Sequence, residues 1–350
     1  MTQHPQTSSA VSIAAIPSSL DSLHGKRIKH TRIAEKMKEF ETLIYPESQD
    51  SIVLVCGPTG VGKSTLAHYM VESAVRAASG AMDANAGLIP AIYVEAPSSG
   101  ESDFSWRLLY QRILAQLEGE FPMRKENYGI DPVSGRLMKP RGATGNSLAA
   151  MRTAVERELR ARSVQFLVID EAAHIIRQSR RNRLEIQLDT LKSLANECGT
   201  QIVLVGSYDL YQLVSLSGQL ARRSAILHFE RYRQDKAEDV AAFTACVQRF
   251  QDALPTLWAN KLIPNVEALH ENTLGCIGTL SAVLTRAARL AQADGKWSLE
   301  ALRRALLTEA QRTQILDEIL DGEAAINPGL TRTMARPVAS RVRAQSRSAA

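Results

Sequence analysis

Cysteine is scarce in this chain of 350 residues, and long apolar runs are missing. The four cysteines, Cys56, Cys198, Cys246 and Cys276, lie far apart with no CxxC pair, which argues against a zinc site and a disulfide framework. A reducing, cytoplasmic setting is the simplest fit to that usage. No stretch approaches the roughly 18 apolar residues of a membrane span, and the N-terminus lacks the charged start and long apolar segment of a secretory leader. No membrane partner is therefore expected. Internal repeats are absent too. Acid is missing from the last 25 residues, which hold Arg332, Arg336, Arg341, Arg343 and Arg347. The chain has 42 basic and 37 acidic residues, so removing those five arginines leaves a neutral body of 37 against 37. The whole excess of +5 sits in the tail. A basic tail suits nucleic acid or an acidic partner surface, and a merely solvated end is the plain alternative.

What is present centres on Gly57-Pro58-Thr59-Gly60-Val61-Gly62-Lys63-Ser64, which matches the phosphate-loop template GxxxxGK[ST]. The apolar run Ile52–Cys56 in front reads as a buried strand, and Thr65-Leu66-Ala67-His68-Tyr69-Met70 behind it as a helix opening. That strand–loop–helix context is what phosphate binding requires. Glycines let backbone N–H groups turn inward around the anion, and the helix N-terminus adds its positive end. Lys63 is placed to reach the outer phosphates and Ser64 to offer a hydroxyl to Mg²⁺. The spacing thus predicts ATP as ligand, held by Gly57 through Thr65.

A second motif follows about a hundred residues on. Phe166-Leu167-Val168-Ile169 is an apolar strand that delivers Asp170 and Glu171 at its C-terminal edge, where ligands of open α/β sheets gather. Asp170 is the expected second Mg²⁺ ligand and Glu171 the expected general base for an attacking water. Ser207, directly after the strand at 201–205, can hydrogen-bond the terminal phosphate or the water, or cap the following helix. Arg222 and Arg223, just before the strand at 225–229, can stabilise transition-state charge at a neighbouring subunit's nucleotide, or form surface ion pairs. His174 reads as a packing residue, because no other His or Cys stands at metal spacing.

Strands at 52–56, 89–94, 165–169, 201–205 and 225–229 alternate with helices at about 65–78, 104–117, 147–162 and 183–197. That alternation predicts an α/β fold with a parallel sheet sandwiched by helices. Ser102 or Asp103 is the expected cap of the helix at 104, and a loop is expected around Gly80 and Gly87. Beyond about Tyr232 only helices are expected, notably at 280–293 and 299–307. The resulting division is a flexible arm at 1–24, a nucleotide-binding domain at 25–232, a small helical lid at 233–322 and a basic tail at 323–350. Residues 119–146 form a long segment rich in Gly, Pro and basic residues, and such a stretch is usually functional or disordered.

In their order, the phosphate loop, the acids at 170–171, a polar residue after the fourth strand, arginines before the fifth and a helical lid resemble the AAA+ ATPases over residues 30–310. Ile169-Asp170-Glu171-Ala172-Ala173-His174, Leu191-Lys192-Ser193-Leu194-Ala195, Val203-Leu204-Val205-Gly206-Ser207 and Gly275-Cys276-Ile277-Gly278-Thr279-Leu280 are similar to the TniB/TnsC group of transposition ATPases. Origin-recognition initiators share part of that pattern. The resemblance implies a homo-oligomeric ring or filament on duplex DNA that links a target-selection protein to a transposase, with hydrolysis resetting the assembly. The chain departs from the family at the lid, where Gly278 and Thr279 stand in the place of an arginine; Arg286 is the nearest substitute. DNA contacts are expected from Arg124, Lys125, Arg136, Lys139, Arg141, Thr144 and Asn146, with Arg177, Arg180, Arg181 and Arg183 as a second cluster. A replication initiator or helicase loader, a nucleotide switch that never engages DNA, and a metabolic kinase are the competing readings.

Overall fold

The computed structural model describes residues 28–45, 51–98, 100, 103–117, 129–130, 137–138, 147–178, 184–214, 224–258 and 260–326. Five strands form the main sheet: β1 (Ile52–Cys56), β2 (Ala91–Glu95), β3 (Phe166–Asp170), β4 (Gln201–Gly206) and β5 (Ser224–His228). Their spatial order is β2-β3-β4-β1-β5, and every pairing is parallel. β1, β3 and β4 are buried along their full length, as aliphatic strands covered on both faces must be.

Before the last strand, the helices are α1 (Thr31–Leu43), α2 (Lys63–Ala77), α3 (Ser79–Ala84), α4 (Trp106–Gln116), α5 (Leu148–Ala161), α6 (Ala173–Arg177) and α7 (Leu184–Cys198). Strand alternation splits the core in two. Ile52, Leu54, Leu167, Ile169, Ile202 and Leu204 face α4, α5 and α7. Val53, Val55, Val168, Val203 and Val205 face α1 and α2 on the other side. Ser147 caps α5 by accepting the Ala150 N–H at 3.1 Å, a contact typically worth about 1 kcal/mol.

After β5 the chain is helical: α8 (Ala237–Ala253), α9 (Pro255–Trp258), α10 (Val266–Asn272), α11 (Ile277–Ala293), α12 (Leu299–Ala305) and α13 (Glu309–Ile326). Phe243, Val247, Phe250, Trp258, Leu280, Leu284 and Leu302 build a separate core for this part. α13 leaves it and returns to the sheet, where Ile319 is fully buried beside Val53 and Phe229.

Sequence and structure differ in places. The loop expected around Gly80 opens with α3, whose Ser-Gly-Ala-Met-Asp-Ala stretch carries two good helix-forming alanines. α4 starts at Trp106 after Ser105, not after Ser102 or Asp103, and Ser105 makes no side-chain cap bond. Within the long basic segment, Gly129–Ile130 pairs antiparallel with Leu137–Met138, so that stretch is not wholly without regular structure.

Candidate active site

Register brings the motifs together. Cys56 of β1 pairs with both Gly206 of β4 and His228 of β5, while Ile169 of β3 pairs with Leu204. Gly57, Ser207 and Phe229, which follow these strands, and Asp170, the last residue of β3, therefore share one edge of the sheet.

The loop from Gly57 to Gly62 joins β1 to α2. Gly60 and Gly62 have φ of +78° and +112°, values that L side chains rarely adopt. Space is as tight as the backbone. A Cβ on Gly60 would lie 2.1 Å from the Thr279 hydroxyl, and one on Gly278 would lie 2.6 Å from the Gly60 carbonyl. The Thr279 N–H donates to that carbonyl at 3.0 Å, so the start of α11 is seated on the loop. Lys63 opens α2 and folds back, its Nζ donating to the carbonyls of Gly57 (3.0 Å) and Pro58 (2.8 Å). Burial lowers the pKa of this ammonium, and the charges of Glu171 and Asp170 oppose that shift. Thr59 and Ser64 are exposed, Thr65 half-buried, and Val61 packs into the core.

Asp170 is only 2% exposed. Its Oδ2 accepts the Tyr93 hydroxyl at 2.8 Å and its Oδ1 the Glu171 N–H at 2.8 Å. Tyr93 comes from β2 and stacks on His68 of α2, with ring centroids 4.2 Å apart. Burial and the adjacent Asp170 carboxylate both push the Tyr93 hydroxyl pKa up, so it stays a donor. Glu171 is exposed, with a φ of +50°. A non-glycine residue in that region costs on the order of 1–3 kcal/mol, and such strain collects at functional sites.

Ser207 precedes a 3₁₀ turn at Tyr208–Leu213. Its hydroxyl donates to Asp209 Oδ2 at 3.2 Å. Arg177, at the end of α6, donates from Nε to the same Asp209 oxygen at 2.8 Å. Pro58, Thr59, Arg177, Ser207, Tyr208 and Asp209 line a cleft of about 430 Å³ together with Glu318 and Asp321 of α13.

These features are those of a phosphate loop facing an acidic strand edge. Residues 46–214 match the family model of the AAA domain. Among solved structures, the ORC2 protein of Aeropyrum pernix, in ADPNP–ADP complexes, is 17% identical with a TM-score of 0.51. That match covers 78% of this chain and 65% of the other, so the chain spans somewhat less than two thirds of that relative. The Walker-type ATPase paby2304 of Pyrococcus abyssi is 16% identical with a TM-score of 0.50, over 82% of this chain and 74% of that one. At such identities the likeness is one of fold. No curated protein matches.

The fold gathers Gly57 to Thr65, Asp170, Glu171 and Ser207 at one edge of the sheet. Arg222 and Arg223 lie outside the described residues, as do Arg124, Lys125, Arg136, Lys139, Arg141, Thr144, Asn146, Arg180, Arg181 and Arg183. Arg286 does not turn toward the loop. Its guanidinium donates to the Ala305 carbonyl at 3.1 Å, inside the helical part, where it satisfies an orphan carbonyl at the end of α12. Arg177, grouped by sequence with a basic cluster, is instead at the cleft. Tyr93, Asp209 and the Thr279 N–H were not foreseen. Only the position of Tyr93 near the end of a strand hinted at an edge role. Among the described residues no cluster of three or more His, Cys, Asp or Glu could hold a metal by itself, and no helix is long and apolar enough to cross a membrane.

Proposed function

We propose that this AAA domain is a Mg²⁺-dependent ATPase, and that its ATP-bound form assembles on duplex DNA to regulate transposition. One observation carries the first part: a glycine loop with no room for a Cβ at Gly60 lies beside a buried carboxylate, Asp170, on the same sheet edge. The backbone N–H groups around Gly60–Ser64 and the ammonium of Lys63 cradle the phosphates. Entry of a phosphate gives Lys63 a stronger acceptor than the carbonyls it now holds.

The residues fit a Mg²⁺ ion. Ser64 is open at the loop mouth, and a carboxylate that accepts two hydrogen bonds keeps lone pairs for a hard cation. Ser64 and Asp170 would hold it, the latter directly or through water. When bound, it neutralises charge on the transferring phosphate. Glu171 takes the proton of the attacking water, and Ser207 hydrogen-bonds the water or the terminal phosphate. Arg222 or Arg223 serves a neighbouring subunit's site.

The second part rests on the DEAA and GCIGTL segments and their similarity to the TniB/TnsC group. In this reading the basic segment around Arg124–Thr144 meets the DNA backbone, and the partners are a transposase and a target-selection protein. The fold likeness to an archaeal ORC2 protein favours one alternative, an initiator or helicase loader built on the same ATPase core.

Electron microscopy of the full chain with plasmid DNA tests the assembly reading. Rings or filaments on DNA are expected with ATP or a slowly hydrolysed analogue, and not with ADP. Backbone contacts predict that binding weakens steeply with salt and ignores sequence. Monomers under every condition would sink it. Lys63→Ala should abolish ATP binding, whereas Glu171→Gln should bind ATP, stop turnover and leave assemblies trapped on DNA. Normal ATP affinity in the first, or normal turnover in the second, would remove that residue from the mechanism.

A further inference from the structure

We propose that Arg177 is the cation with which this chain reads the terminal phosphate of its own nucleotide. The inference rests on the ATPase reading above and deepens it. Arg177 follows Asp170 and Glu171 by a single short helix, α6, which carries it to the rim of the cleft shared by Thr59 of the loop and Ser207 of the next strand edge. Its Nη2 lies 3.5 Å from the Ser207 hydroxyl, the group proposed above to meet the water or the terminal phosphate.

Two further observations make a cation necessary there. The start of α11, seated on the loop, brings only Gly278 and Thr279, and Arg286 is bound to the Ala305 carbonyl. The cleft itself is acidic, for Asp209, Glu318 and Asp321 all line it. A triphosphate reaching into this cleft meets three carboxylates, and Lys63 is not among the residues that line it.

Asp209 holds Arg177 in waiting. The pair is well exposed, with side-chain exposures of 59% for Arg177 and 33% for Asp209, and ion pairs of that kind are weak. A terminal phosphate offers the guanidinium fork a bidentate acceptor of higher charge. Transfer from Asp209 to phosphate makes the cleft respond to ATP and not to ADP. Asp209 is partly open to solvent, so water supplies its donors when Arg177 leaves.

The test compares affinities of the full chain for a slowly hydrolysed ATP analogue and for ADP, in wild type, Arg177→Ala, Arg177→Lys and Lys63→Ala. Arg177→Ala should lose affinity for the ATP analogue on the order of tenfold, while ADP affinity changes by less than about twofold. Lysine should recover part of the loss. Equal losses for both nucleotides, or none for either while Lys63→Ala abolishes binding, would overturn the assignment of Arg177 and leave the ATPase reading standing. A wild-type chain that binds neither nucleotide would overturn both. Should the alanine variant lose its fold on heating, Arg177→Gln keeps a donor for Asp209 without the charge, and the same ratio decides.

Discussion

Tyr93 donates its hydroxyl to a carboxylate 77 residues away in sequence, and with the Glu171 N–H on the other oxygen it fixes the orientation of Asp170. Removing the donor leaves a buried carboxylate oxygen without a partner. In the Mg²⁺ site proposed above, such an outer contact to a ligating group typically matters tenfold or more. Tyr93→Phe should therefore need about tenfold more Mg²⁺ for half-maximal ATP turnover, with ADP affinity unchanged. An unaltered Mg²⁺ dependence would show that Tyr93 only packs on His68. Lys63, Asp170 and Glu171 were legible because a loop and a strand end write their chemistry in consecutive residues. Tyr93, Asp209 and Arg177 were not, because strand register and two short turns bring them in. The sequence grouped Arg177 with a basic cluster for DNA, and the structure pairs that residue with Asp209.

Among the elements, strands were the easiest to read. Runs such as Ile52–Cys56 and Phe166–Ile169 are aliphatic throughout, as a sheet covered on both sides demands, and the boundaries expected lie within two residues of those found. The route of α13 could not be read. Its buried residues are only Ile319 and Gly322, so no apolar stripe announces a face. Its docking rests on shape and charge. Gly322 lies flat on the Tyr208 ring, where a Cβ would come within 2.1 Å of ring carbons, and Glu323 pairs with Arg231 at 2.9 Å. Gly322→Ala should cost about 1–3 kcal/mol in urea unfolding. Combined with Tyr208→Ala, the loss should be smaller than the sum of the two single losses. Strictly additive losses would mean that the helix does not rest on that ring.

At the scale of the whole molecule, a polar joint ties the start of the described chain to the helical part. The His30 Nδ1 lies 2.8 Å from the Tyr232 hydroxyl, which also accepts the Arg32 N–H at 3.0 Å. Arg32 bridges to Asp239 of α8 at 2.6 Å. Burial, aided by the charges of Arg32 and Arg249, lowers the His30 pKa to about 4. Burial lowers those of His228 and His270 as well, and neither ring nitrogen of His270 has a hydrogen-bond partner in the described structure. Between pH 6.5 and 4 the unfolded chain thus holds protons that the folded chain refuses. Stability is full above that window and falls as pH drops through it. For His30 alone the loss between pH 7.5 and 5 is roughly 2 kcal/mol. Urea unfolding at these two values checks it, and His270→Leu should flatten the difference further. Equal stability at both would show that these imidazoles take up protons without strain.

The place of β1 sets an order of events at the ribosome. It lies in the interior of the sheet, yet its only strand partners are β4 and β5, at 201–206 and 224–228. The phosphate loop is made early, near residue 60, and then waits without a neighbour on either side. Nearly two-thirds of the chain must emerge before β1 gains both partners and the loop a fixed floor. Closing so long a span is slow, and an aliphatic strand left open that long is the kind of segment that chaperones cover. The nascent protein thus holds the sequence for binding phosphate well before it holds the site.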